Sequence, residues 1–217
     1  MIDLRIIYNN LPEFFAATTM TIKLAIISSI LSLLFGLLVA LGRISKKRYL
    51  SIPAIAYIEF FRNTPLLIQL YIIFFGLPVL GIRISSFWTG VFGLVLKQGA
   101  FFAEAYRAGI ESISVTQIEA GKSLGMLDRQ IMRIIILPQA IRKIIPPSIN
   151  LIIINFLATS ICYVVSVKEL TMFGYILVER SGAVYEIFFA LGIFYLAIIS
   201  LLTLLLKYSE KKLKLLY

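Results

Sequence analysis

In this chain of 217 residues 60% are hydrophobic and mean hydropathy is +0.95, values that place it among membrane proteins rather than soluble globules. Its net charge of +10 would suit a nucleic-acid binder, but the basic residues are parcelled into separate loops and not gathered on one soluble face, which argues against that class. With no histidine and one cysteine, Cys162, the chain has no internal disulfide, no material for a histidine-based triad and no transition-metal ligand set.

The N-terminal Met1-Ile2-Asp3-Leu4-Arg5 leads into an apolar run of full spanning length, unlike the short core and small-residue cleavage site of a signal peptide, so the first helix is expected to stay. A bilayer-spanning helix needs about 20 mainly apolar residues. Between Lys23 and Arg43, Arg62 and Arg83, Lys143 and Lys168, and Glu186 and Lys207 there is no Asp, Glu, Lys or Arg, and each gap is of that order. A fifth apolar stretch, from about Ser85 to Tyr106, carries Lys97 and Glu104 and is assigned on length and context. The fold expected is therefore an all-α membrane protein with five transmembrane helices, and no linker or repeat divides residues 1–217 into more than one domain.

Orientation follows from the loops. Arg43, Lys46, Lys47 and Arg48 follow the first helix, Arg107, Lys122, Arg129, Arg133, Arg142 and Lys143 lie between the third and fourth, and Lys207, Lys211, Lys212 and Lys214 follow the fifth. The positive-inside rule puts these segments in the cytoplasm and predicts an N-out, C-in topology.

The central loop, about residues 111–142, interrupts the apolar pattern. Thr116-Gln117-Ile118-Glu119 has capping-box spacing and predicts a short helix, Ala120 and Gly121 predict a face with almost no side chain, and Gly125 is a natural stop. Asp128 predicts a second helix whose apolar side is Ile131, Ile134, Ile135 and Leu137, ending at Pro138. Such a loop either folds back on the ends of its own helices or docks on another protein. Earlier in the chain, Glu59-Phe60-Phe61-Arg62-Asn63-Thr64-Pro65-Leu66-Leu67-Ile68-Gln69-Leu70 predicts an i,i+3 ion pair between Glu59 and Arg62, then a bend at Pro65.

The order Glu119-Ala120-Gly121, three residues, Gly125, nine residues, Ile135-x-Leu137-Pro138 resembles the loop by which membrane subunits of ATP-binding-cassette (ABC) importers grip their ATPase. Gly121 departs from the usual alanine, at about 0.8–1.0 kcal/mol of helix propensity. The string that contains Glu59, Arg62, Thr64 and Pro65 is similar to the E-x-x-R-G/N-T-P-L-L-x-Q-L signature of the polar amino-acid importers, the histidine, glutamine and arginine permease group, which methionine permeases lack. Thr19-Met20-Thr21-Ile22-Lys23-Leu24, Glu104-Ala105-Tyr106-Arg107-Ala108-Gly109-Ile110 and Leu137-Pro138-Gln139-Ala140 also resemble family segments in family order.

The resemblance implies a type I ABC importer permease of a bacterial-type cytoplasmic membrane, coupled to its ATPase through Glu119, Ala120, Gly121, Gly125, Leu137 and Pro138. The implied partners are two ATP-binding subunits, a second permease chain, identical or not, and an extracellular or periplasmic solute-binding protein. ATP and magnesium would belong to the ATPase, because this chain has no G-x-x-x-x-G-K-S/T loop and holds no cofactor by that route.

Intramembrane polar residues bear on the cargo. Lys97, Gln98, Glu104, Asn155, Thr159 and Ser160 are candidates for the substrate path, since polar groups at bilayer depth face a bundle interior or a wet cavity. Lys97 either binds a cargo carboxylate or pairs with a neighbouring helix, and Glu104 either lines the path or bridges to Arg107 at i+3. Many relatives carry a charged pair where this chain has Ala158-Thr159-Ser160, and losing it while carrying Lys97 favours a neutral polar or acidic amino acid over a cationic one. A methionine-type solute is a further alternative, and a passive channel or scaffold would not require the small-residue loop helix. A membrane-embedded enzyme lacks a base partner for Glu104.

Overall fold

The computed structural model describes residues 5–216. Met1–Leu4 and the side chains of Lys212 and Lys214 lie outside the described residues.

A short helix α1 (Arg5–Asn9) turns at Asn10, whose Nδ2 donates to the Ile6 carbonyl at 2.8 Å, into α2 (Leu11–Arg43). At about 1.5 Å per residue, α2 is about 50 Å long and more than crosses a hydrocarbon core of about 30 Å. The charge-free gap after Lys23 thus understated this helix, because Pro12 within its first two positions lets it begin about three turns before that lysine.

The next apolar segment is broken. α3 (Arg48–Asn63) and the run Leu66–Val79, which opens with α4 (Leu66–Tyr71), are bent by 109° across Thr64 and Pro65. Proline forces the residue before it out of the helical region, and Thr64 accordingly sits at φ −105°, ψ 142°. Beyond α4 the chain runs through a π-helical turn (Ile72–Gly76) into the one-turn α5 (Leu77–Val79) and stops at Gly81, φ +80°.

α6 (Ser86–Glu111) is the central helix, and glycines let its neighbours close on it. A Cβ on Gly36 of α2 would sit 2.6 Å from Phe102 Cβ and 2.9 Å from the Gly99 carbonyl oxygen. Apolar attraction does little between helices in lipid, so such close backbone contact and polar links supply the cohesion. Tyr57 and Tyr106 hydroxyls donate to the Leu96 and Leu33 carbonyls at 2.5 and 3.2 Å.

After α6 come α7 (Val115–Ser123), the one-turn α8 (Asp128–Gln130), a π-helical turn (Ile131–Ile136), α9 (Leu137–Ala158) and a 3₁₀ segment (Thr159–Val165). From Asp128 to Val165 they form one continuous run of 38 residues. Pro138 therefore does not end the loop's second helix, as its sequence predicted. It lies in the first turn of α9, where the wider π turn before it takes up the ring that a regular turn would clash with.

The chain closes with α10 (Leu170–Ser181) and α11 (Val184–Leu216). Leu24, Leu66, Leu70, Leu94 and Cys162 pack one core among α2, α4, α6 and the 3₁₀ segment, while Phe14, Leu170, Leu177 and Ile187 pack a second.

By length and composition, three of the described helices can cross a membrane: Leu11–Arg43, Asp128–Val165 and Val184–Lys211. The bent pair makes four if it is one span. Leu34, Leu38, Leu41, Leu201 and Leu204 point outward along these helices, a surface suited to lipid and not to water.

Candidate functional site

The loop between α6 and α8 is anchored from within. Ser114, not Thr116, caps α7, its Oγ accepting from the Thr116 amide at 3.3 Å. The expected capping box at Thr116 does not form, because the helix begins at Val115 and Glu119 falls past its first turn, exposed. Gly125 stops the helix at φ +75°, its amide donating to the Lys122 carbonyl at 2.9 Å and the Met126 amide to the Gly121 carbonyl at 3.1 Å, a Schellman arrangement.

Gly121 points inward. A Cβ there would sit 3.0 Å from Ile135 Cδ1 and 3.1 Å from Ile131 Cγ1, inside a small core of Ile113, Ile131, Ile136 and Ala140. The expectation that Ala120 and Gly121 share one outward face is therefore corrected: Ala120 is exposed beside Glu119, and Gly121 makes room for two isoleucine tips. The Gln139 amide donates to Gln117 Oε1 at 2.7 Å and Lys143 Nζ to the Ser112 carbonyl at 2.9 Å, strapping the loop to α9.

What remains outside is apolar. Leu124 is 82% exposed and Leu127 70%, with Val115 and Ile134 also exposed around Glu119 and Ala120. The loop thus both packs on its own helix ends and leaves a greasy crest beyond them, the kind of exposed patch that marks a protein contact. Leu137 lies at the edge of that surface and Pro138 is half-buried.

The intramembrane candidates do not converge on one another through hydrogen bonds. Lys97 Nζ donates to the Arg62 and Thr64 carbonyls at 3.1 and 2.7 Å and lies 5.4 Å from the Phe101 ring centroid. Glu104 takes a forked hydrogen bond from Arg107, which also reaches Glu111, and lies 3.6 Å from Arg43 Nε. Asn155 is fully buried and donates to Ser28 and Ser29 of α2, each at 2.8 Å. Thr159 and Ser160 return their hydroxyls to carbonyls three residues back, and Gln98 is buried with no hydrogen bond to Oε1.

The expected Glu59–Arg62 pair gives way to another arrangement. Glu59 accepts from Asn63 Nδ2 at 3.2 Å, and the Arg62 guanidinium lies 5.4 Å from the Phe101 ring centroid. Among the described residues no three His, Cys, Asp or Glu gather as a metal would require.

Residues 32–215 match the model of a known family, the binding-protein-dependent transport system inner membrane component. The chain belongs to that family. It is 34% identical to a probable glutamine ABC transporter permease protein, GlnM, of Bacillus subtilis (strain 168), over 98% of both chains. It is 33% identical to the arginine transport system permease protein ArtQ of the same organism, over 94% of both. Among solved structures, one chain of an amino acid ABC transporter superposes with a TM-score of 0.93 at 32% identity, covering 98% of this chain and 99% of the other. A chain of the MetNI methionine ABC transporter shares the fold, at a TM-score of 0.69 and 17% identity.

This inner membrane component also buries a carboxylate that no motif in its sequence marks. Glu169, fully buried, caps α10: its carboxylate accepts from the Thr171 and Met172 amides at 2.8 and 2.9 Å and from the Tyr195 hydroxyl at 2.9 Å. Burial pushes its pKa up to about 7, against the pull of those donors. It escaped notice because glutamate is not among the favoured capping residues, and no spacing in the sequence pairs it with Tyr195.

Proposed function

We propose that this chain is the membrane-spanning permease subunit of an ATP-driven importer for a polar amino acid, neutral or acidic. The observation that carries the reading is the crest of Val115, Leu124 and Leu127 beside Glu119 and Ala120, held outside the spans on a helix strapped to α9. It supplies a rigid apolar key for an ATPase groove, and Gly125 and the Leu137-Pro138 turn fix its angle to the membrane helices. The names of GlnM and ArtQ support amino acids as the cargo class.

In this reading residues 1–217 form one domain with five spans, α6 among them, N-out and C-in, in a bacterial cytoplasmic membrane. A second permease chain encloses the path with it, and a solute-binding protein delivers cargo from outside. Two ATPase subunits, which alone hold ATP and magnesium, close on nucleotide and turn the docked crests. That rotation moves α9 and α6 and switches the path between inward- and outward-facing. The permease itself catalyses no hydrolysis.

Two observations favour a non-cationic cargo. Glu104 and Glu169 are engaged by Arg107 and by α10 amides, so neither carboxylate is free for the side-chain cation of an arginine or lysine cargo, and no acid stands at Ala158-Thr159-Ser160. The buried amide oxygens of Gln98 and Asn155, which accept no hydrogen bond from the chain, are the path candidates best suited to a polar cargo. The likeness to ArtQ favours a second reading, a cationic amino acid.

A thermal-shift screen of the cognate binding protein against the twenty amino acids decides between them, since a ligand raises apparent stability with its affinity and concentration. Glutamine, glutamate or another non-cationic polar amino acid is expected to shift the melting point. A shift with arginine or lysine alone moves the assignment to the second reading, and no response to any amino acid refutes both.

A further inference from the structure

The break between α3 and α4 leaves backbone carbonyls without helical partners. Within a bilayer an unpaired carbonyl costs several kcal/mol, so broken helices persist only where other groups replace the missing amides. Pro65 donates nothing and Thr64 is extended, which orphans the last carbonyls of α3.

Side chains fill the gap one by one. Thr64 Oγ1 donates to the Phe60 carbonyl at 2.8 Å, and Gln69 Nε2, 3% exposed, donates to the Phe61 and Thr64 carbonyls at 3.1 and 3.2 Å and to Thr64 Oγ1 at 2.6 Å. Lys97 reaches across from α6 to the Arg62 and Thr64 carbonyls at 3.1 and 2.7 Å. Thr64 and Gln69 are local, one on each side of the break. Lys97 is the donor that ties the break to another helix, and a cation at a helix C-terminus also suits the dipole there.

From this geometry, and resting on the importer reading above, we infer that Lys97 is a positioning residue of the transport cycle: it pins the elbow of the broken second span to α6, so that both halves of that span move with α6 as one body. Its ammonium is occupied by two carbonyls, and a cargo carboxylate would have to displace them. Release of the elbow leaves α3 and α4 held to α6 only by the Tyr57 hydroxyl and apolar packing, so that they follow its motion less closely and ATP is hydrolysed with a smaller change in the path.

The test uses the full importer in nanodiscs and proteoliposomes, with its ATPase and its binding protein, offered a mixture of the twenty labelled amino acids. Lys97→Met keeps the apolar stem and removes the donors, Lys97→Arg keeps cationic donors, and Gln69→Leu loosens the same elbow without touching a charge. Amide exchange in residues 66–72, ATP consumed per amino acid imported, and the apparent KM for the imported amino acid are read together. Loss of hydrogen bonds from a charged donor is expected to raise exchange about tenfold or more. Lys97→Met and Gln69→Leu should raise both exchange and ATP per amino acid, with KM unchanged and Lys97→Arg close to the unaltered chain.

Exchange and coupling ratio that stay put in Lys97→Met overturn the inference. A rise in KM alone also overturns it and makes Lys97 a cargo ligand. If Lys97→Met fails to assemble, Gln69→Leu carries the same comparison. Failure of the unaltered complex to import any amino acid sinks the importer reading, while the exchange data still decide whether Lys97 holds the elbow.

Discussion

Two glycines with opposite surroundings isolate the effect of a single methyl group. Gly36 and Gly192 both lie in helices, where alanine is favoured by about 0.8–1.0 kcal/mol. A Cβ at 192 meets nothing within 4 Å, but at 36 it lies 2.6 Å from Phe102 Cβ and 2.9 Å from a backbone oxygen. Gly192→Ala should raise the melting temperature in detergent, whereas Gly36→Ala should lower it, overpacking costing about 1–3 kcal/mol and outweighing the same propensity gain. Equal shifts would mean that α2 and α6 do not touch as described. Glu169 gives a second prediction. Its pKa, pushed up to about 7 from an unfolded value of about 4.3, means that between these limits the folded state holds a proton the unfolded state has lost. Stability therefore falls as pH rises from about 4 to about 7, and Glu169→Gln should flatten that slope in detergent melting curves. The chain has no histidine, which clears this window of its usual background. Sequence revealed that Gly125 would take positive φ, because that property belongs to the residue itself. It did not reveal that Gly121 faces inward, because direction depends on where Ile131 and Ile135 arrive from another helix.

At the scale of elements the prolines teach the same point. Pro65, after the polar Arg62-Asn63-Thr64, breaks its helix, and Pro138, after the apolar Ile134-Ile135-Ile136-Leu137, does not. The difference lies in neighbours: Gln69 and Lys97 stand ready to receive the carbonyls freed at Pro65, while a π turn before Pro138 keeps the run continuous. Sequence pattern thus located both events but not their outcome. The α7 crest is the element whose role is most open to direct trial. Leu124 is 82% exposed, so Leu124→Asp should change stability by no more than about 0.5 kcal/mol and leave membrane insertion intact. A buried carboxylate in an apolar groove is costly, so the same change should abolish co-purification of the ATPase subunits with the permease. Retained ATPase in that preparation would place the docking surface elsewhere.

Over the whole molecule, α6 decides the topology. Its Lys97 and Glu104 make it less apolar than α2 and α9, yet it is the helix around which α2, α3, α4 and α9 pack. Its polar side chains are satisfied in the bundle, Lys97 by carbonyls at the α3–α4 break and Glu104 by Arg107 on the same helix and Arg43 of α2, so a helix that looks compromised in sequence is not. If α6 crosses the bilayer, Arg83 before it and Lys122 after it lie on opposite sides, and the positive-inside rule places Lys46 with Lys122 in the cytoplasm and Tyr185 with Arg83 outside. Cys162 is fully buried, which leaves the native chain silent to a membrane-impermeant maleimide. Single cysteines at the exposed positions Arg83 and Tyr185 should therefore label in intact cells, and those at Lys46 and Lys122 only after permeabilisation. The reverse pattern would invert the protein and put the crest on the wrong side for an ATPase, and Arg83 labelling together with Lys122 would remove α6 from the membrane.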